Sequence, residues 1–110
     1  MKKYLKELLE IYQINVGGRE VYTNFLTKKS FLHIRDFLYK NGNILVEDKD
    51  AGIYIATMSS GVKNMNYATV VIKLEEETVY IYAVAKEGLF NQHTSNKAIE
   101  KLKSEFLYEE

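Results

Sequence analysis

At Asn41-Gly42 the spacing of apolar residues changes from a helical period to an alternating one, and it keeps alternating as far as residue 86. Four runs alternate as strands do, over 43–47, 53–58, 67–74 and 78–85. The turns between them, 48–52, 59–66 and 75–77, are short enough to join antiparallel neighbours. A four-stranded meander is the part of the fold that this pattern dictates most firmly.

Helices are expected on either side of it. Over 2–14, Leu5, Leu8, Leu9 and Tyr12 fall on one helical face, and Gly17-Gly18 is expected to end the helix. Over 28–41, Phe31, Ile34 and Leu38 form a stripe, with Thr27 or Ser30 as cap and Asn41-Gly42 as a left-handed stop. Over 95–107, Ile99, Leu102 and Phe106 do the same, capped by Thr94 or Ser95. Residues 19–27 fit two periods. Val21, Thr23 and Phe25 alternate as in a strand, and their residue types favour one, whereas Val21, Tyr22, Phe25 and Leu26 also share a helical face. The expected class is α+β within a single domain, residues 1–16 forming an added N-terminal helix and 19–107 a helix-backed antiparallel sheet.

Composition narrows the chemistry. The chain has 110 residues, enough to bury a core without staples, and no cysteine, which removes disulfides, thiolate nucleophiles and cysteine-bound metals. Its net charge of zero is a cancellation: residues 1–46 hold eight bases against four acids, and 47–110 hold seven against eleven. Thirteen of the fifteen bases are lysine, which does not favour bidentate reading of phosphate or guanine. No apolar run approaches the ~20 residues that span a bilayer, and acids interrupt the N-terminal stretch, so no membrane or leader segment and a cytoplasmic location are expected. The richness in Asn, Lys, Ile and Tyr fits an AT-rich bacterial or phage genome, such as that of a mobile element.

From Arg19 to Phe106 the order reads β-α-β-β-β-β-α, and within it an extended run, Ile44-Leu45-Val46-Glu47, is followed by Asp48-Lys49-Asp50-Ala51 and then Gly52-Ile53. This resembles small uncharacterised bacterial domains with a TATA-binding-protein-like half. The resemblance covers about four-fifths of the chain and implies a curved antiparallel sheet with two helices on its convex face. It carries no catalytic signature, and such modules serve many roles.

Splitting each strand into its two faces gives the functional expectation. The aliphatic sets (Ala68, Val70, Ile72 and Leu74; Val79, Ile81, Ala83 and Ala85; Ile53 and Ile55) belong against the helices. The remaining face then carries Tyr54, Met58, Tyr67, Val71, Lys73, Tyr80 and Tyr82. Tyrosine offers a flat contact area with a polar tip, suited to a protein partner, a second copy of the chain, or stacked bases. Alternatively the N-terminal helix covers that face through Tyr4, Leu5, Leu8 and Tyr12.

Other groups support less. His33 and His93 belong to no HExxH or triad order, and Glu47, Asp48 and Asp50 lack EF-hand spacing. Ser59-Ser60-Gly61 with Lys63 is expected to be a polar loop, with a phosphate nest as the alternative, and Glu75–Glu77 a solvated turn. The expectation is a non-enzymatic interaction module without cofactor or metal, binding a protein partner or itself, such as an inhibitor or regulator from a mobile element. Its alternative is a nucleic-acid binder. Were 19–27 helical, the first half would be a winged helix, with Lys28, Lys29 and Arg35 near phosphates.

Overall fold

The computed structural model describes residues 1–59, 67–87 and 93–109. Three helices and five strands follow in the order α1 (Lys2–Ile11), β1 (Arg19–Leu26), α2 (Phe31–Asn41), β2 (Gly42–Asp48), β3 (Ile53–Ser59), β4 (Tyr67–Glu75), β5 (Thr78–Ala85) and α3 (Thr94–Phe106). The strands form one open antiparallel sheet in the order β1-β5-β4-β3-β2. The fold is α+β, as expected, with β2 to β5 as the meander and α1 as the added helix.

Residues 19–27 are resolved in favour of the strand. β1 pairs with β5 along its whole length, from Arg19 opposite Ala85 to Leu26 opposite Thr78. Phe25 is thereby buried, with Val21 packed against the same core. This pairing removes the three-helix arrangement on which a winged helix would depend.

The sheet separates two cores. On one face, Ala68, Val70, Ile72, Val79, Ile81 and Ala83 meet Ile34 and Leu38 of α2 and Ala98, Ile99, Leu102 and Phe106 of α3. On the other, Ile53, Ile55, Val71, Tyr82 and Val84 meet Leu5, Leu8 and Leu9 of α1, with Ile14 at the margin. Burying each of these leucines contributes roughly 1.5–3 kcal/mol.

One expectation about the faces is overturned. Tyr54 lies opposite Ile72, Ala56 opposite Val70 and Met58 opposite Ala68, so Tyr54 and Met58 point toward α2 and α3. Ile53 and Ile55 point toward α1 instead. Both halves of β3 are apolar because both of its faces are covered. Alternation then cannot set the phase, and only the register with β4 does.

Several boundaries also move for local reasons. α1 stops at Ile11 rather than residue 14, because Gln13 turns left-handed (φ 58°) and Ile14 N–H donates to the Leu9 carbonyl at 2.8 Å. The glycine pair does other work. Gly18 (φ +136°) lies so close to the Ala85 carbonyl that a Cβ would collide with it, so glycine lets the chain enter β1 beside β5. Asn41-Gly42 is not a left-handed stop either. Gly42 has φ 177° and is already strand, with its Cα packed against the Thr57 carbonyl, so α2 runs into β2 without a connecting loop.

Candidate interaction surface

Five of the seven residues expected on the tyrosine face do share one side of the sheet, but α1 covers its centre. Val71 is fully buried and Tyr82 is 2% exposed beneath Leu5, Leu8 and Leu9. The alternative expectation described such a cover, but only its Leu5 and Leu8 enter the core, joined by Leu9, while Tyr4 and Tyr12 stay exposed. The Tyr82 hydroxyl donates to the Glu20 carboxylate on β1, which also accepts from Lys6 Nζ at 3.0 Å. Burial, then the Glu20 carboxylate, pushes the Tyr82 phenol above its ordinary pKa. The hydrogen bonds from Lys6 and Tyr82 hold the Glu20 carboxyl below its own.

Around this centre the other members lie at the margins. Tyr80 is half-buried against the α1 core. Lys73 is half-buried too, its ammonium donating to the Ala51 carbonyl at 2.9 Å and lying 5.7 Å from the Tyr4 ring centre. Tyr67 alone among the seven is exposed, at 62%. It borders a groove of about 750 Å³ that Val16, Gly18, Thr69 and Val84 help to line.

On the opposite face Tyr54 is fully buried, its ring stacked on Phe31 with centroids 4.1 Å apart. Its hydroxyl donates to Glu47 Oε2 at 2.8 Å, and the Phe31 carbonyl lies 3.1 Å away. Burial and the Glu47 carboxylate raise the phenol's pKa, so it remains a protonated donor. Arg35 Nε of α2 lies 3.8 Å from the same Glu47 oxygen. Each sheet face therefore contains a buried tyrosine that leads through a carboxylate on an outer strand to a cation on the covering helix.

The bases offered for nucleic acid have other uses. Lys28 pairs with Glu77 at 3.0 Å and lies over the Tyr108 ring, while Lys29 pairs with Glu105 at 2.9 Å and approaches Phe106. With Arg35 on Glu47, all three cations are engaged within the chain. His33 serves α2 itself: Ser30 Oγ accepts from His33 N–H, and the ring nitrogen accepts from Ser30 N–H. Thr27 supports only the preceding turn, accepting from Lys29 N–H. His93 has left-handed backbone at the α3 N-cap, and neither Thr94 nor Ser95 caps that helix. The Glu87 carboxylate accepts from Thr94 N–H at 3.0 Å instead.

Asp48 Oδ1 accepts from Ala51 N–H in the β2–β3 turn, and no acid or histidine group suited to a metal ion occurs among the described residues. Of the alternative phosphate nest at Ser59-Ser60-Gly61 with Lys63, Ser59 ends β3 and the other residues lie outside the described ones. No helix among the described residues is long and apolar enough to cross a membrane.

A different surface emerges from the sheet's two edges. β1 is closed at both ends: Ser95 Oγ of α3 donates to the Arg19 carbonyl at 3.0 Å, and Tyr108 N–H donates to the Leu26 carbonyl at 2.8 Å. β2 is open. Among the described residues, the main chain of 43–48 bonds only to β3. Its register shifts between Ile44 and Val46, leaving Leu45 49% exposed at a bulge. On α2, Leu32 and Tyr39 are 50% and 71% exposed, on the same helical flank as Arg35, whose side chain reaches Glu47 of β2. The other flank of α2 meets α3, where Phe37 packs edge-on against Phe106.

This edge lies apart from the tyrosine face expected from the sequence. Two signals for it exist: Leu32 and Tyr39 stand seven apart off the buried stripe, and Ile44-Leu45-Val46 breaks strict alternation. Compared with known proteins, the chain matches no family model, no curated protein and no solved structure.

Proposed function

We propose that this chain is a non-enzymatic interaction module whose working surface is the open edge of β2, where a protein partner adds a strand. The observation that carries this is the outward main chain of β2, which among the described residues bonds only to β3 and exposes Leu45 at its bulge, whereas α3 and the C-terminal tail hold both end carbonyls of β1. An added strand gains main-chain hydrogen bonds along the edge, and the neighbouring apolar side chains supply specificity. Binding by occupancy suits a small inhibitor or regulator, the role expected from the sequence. The shared placement of α2 and α3 on one face supports the proposed likeness to a TATA-binding-protein-like half, while α1 departs from it.

A photo-crosslinking residue at position 45, expressed in the native host, tests the proposal. Adducts are expected at 45 and not at exposed Ser104 of α3. The captured protein, purified and added back, should slow amide exchange over 43–48 and leave α3 unchanged. No adduct above the Ser104 control, or no protection of 43–48, rejects it.

A further inference from the structure

We infer that the strand accepted by β2 is the β2 strand of a second copy of this chain, laid antiparallel about a twofold axis at Leu45. This rests on the reading of β2 as a docking edge and names its occupant. Such an axis is the simplest way for one surface to be its own complement. Leu45 then meets Leu45 of the second copy, Asn43 faces Glu47 and Gly42 faces Asp48, while Lys40, in the last turn of α2, comes to the same end of the joint as Asp50 of the second copy's β2–β3 turn.

Charge favours this direction. Lys40 is the only charged residue from Leu38 to Val46, whereas Glu47, Asp48 and Asp50 follow with Lys49 alone among them. Antiparallel pairing brings the basic end of each edge to the acidic end of the other, twice. Parallel pairing would oppose like ends. Glu47 and Asp48 already have partners in Arg35 and Ala51 N–H. Lys40 and Asp50 are both exposed and have none among the described residues.

Shape agrees with charge. An axis perpendicular to the sheet keeps both α2 helices on one side of a continuous sheet, five strands from each copy. The two flanks carrying Leu32 and Tyr39 then face each other over the joint, which accounts for large apolar side chains left in water on that side of α2. The bulge at Leu45 divides the ladder into Gly42–Ile44 and Val46–Asp48, so the pairing is short. A dissociation constant of about 1–100 μM is expected.

Sedimentation equilibrium of the purified chain, from about 1 μM to 1 mM, tests this. The mass should rise from 12.8 kDa toward twice that value. Leu45→Lys should weaken association at least about tenfold. Lys40→Glu and Asp50→Lys should each weaken it about fivefold, and the double variant should return to within about twofold of the original. All three positions are exposed, so each variant should keep a cooperative thermal transition at concentrations below the dissociation constant, which certifies the fold. A monomer at every concentration overturns the inference, as does a dimer indifferent to Leu45→Lys or a double variant no better than the singles. Adducts at position 45 with another protein, alongside a monomeric purified chain, overturn the second copy as occupant while keeping β2 as the docking edge.

Discussion

The two faces of the sheet are closed by different means. α2 and α3 cover one face, wedged by the Phe31–Tyr54 stack and the Phe37–Phe106 edge contact. Among the described residues the other is covered by α1, through Leu5, Leu8 and Leu9 and the outer pairs of Lys2 and Lys6 with Glu20. Yet both centres use one device, a buried tyrosine hydroxyl aimed at a carboxylate. The contrast teaches that burial depth and closure strength are separate quantities. Val71 and Leu38 are equally inaccessible, but the ten-residue α1 holds the first, whereas the second lies in α2 within the core shared with α3.

The largest test of this contrast removes a tyrosine. Tyr54→Ala should cost about 3–5 kcal/mol in urea unfolding, because it empties a stacked site that neighbouring helices cannot collapse to fill. Leu8→Ala in α1 should cost less, about 2–3 kcal/mol, since a peripheral helix resettles more easily. Native-state amide exchange should show α1 opening at a lower free energy than α3. Equal protection of the two helices would break the comparison.

Titration comes next, and the two ends of the pH scale read different parts of the device. Tyr54 and Tyr82 both have raised folded values, so their contribution is complete below the ordinary value of 10.0 and is lost as pH rises through the folded ones. Ultraviolet titration should find two of the nine tyrosines ionising only with alkaline unfolding. Glu20 acts in the opposite sense. Its lowered value gives stability that is present above 4.5 and lost as pH falls through the folded value. Glu20→Gln should blunt that acid loss and loosen α1 without affecting α3. The smallest effect is expected at the edge, where Leu45→Lys should change stability by no more than about 0.5 kcal/mol while weakening association at least about tenfold.

Much of this architecture is legible from residue types. β5 begins and ends where alternation from Thr78 to Ala85 places it, and the Ile99, Leu102 and Phe106 stripe forms the buried side of α3. What escapes is set by long-range partners. Ile53, Tyr54 and Ile55 are apolar on both sides, so nothing within β3 says which face takes the tyrosine. Gln13, not the Gly17-Gly18 pair, takes the turn that ends α1, and Gly42 serves a close approach rather than a helix cap. The edge escapes for a related reason. Whether Leu45 faces a neighbour or water depends on which strand ends up outermost, and strand order is a property of the assembled sheet.

The direct passage from α2 into β2 at Gly42 removes all slack at the outermost strand. β2 cannot slide along β3 without dragging the helix that carries Ile34 and Leu38 out of the core. A visiting strand therefore meets a template fixed in one frame, with Leu45, Asn43 and Glu47 always at the same heights. Such an edge reads its visitor by position as well as by composition, and it passes any force on the joint straight into the hydrophobic interior.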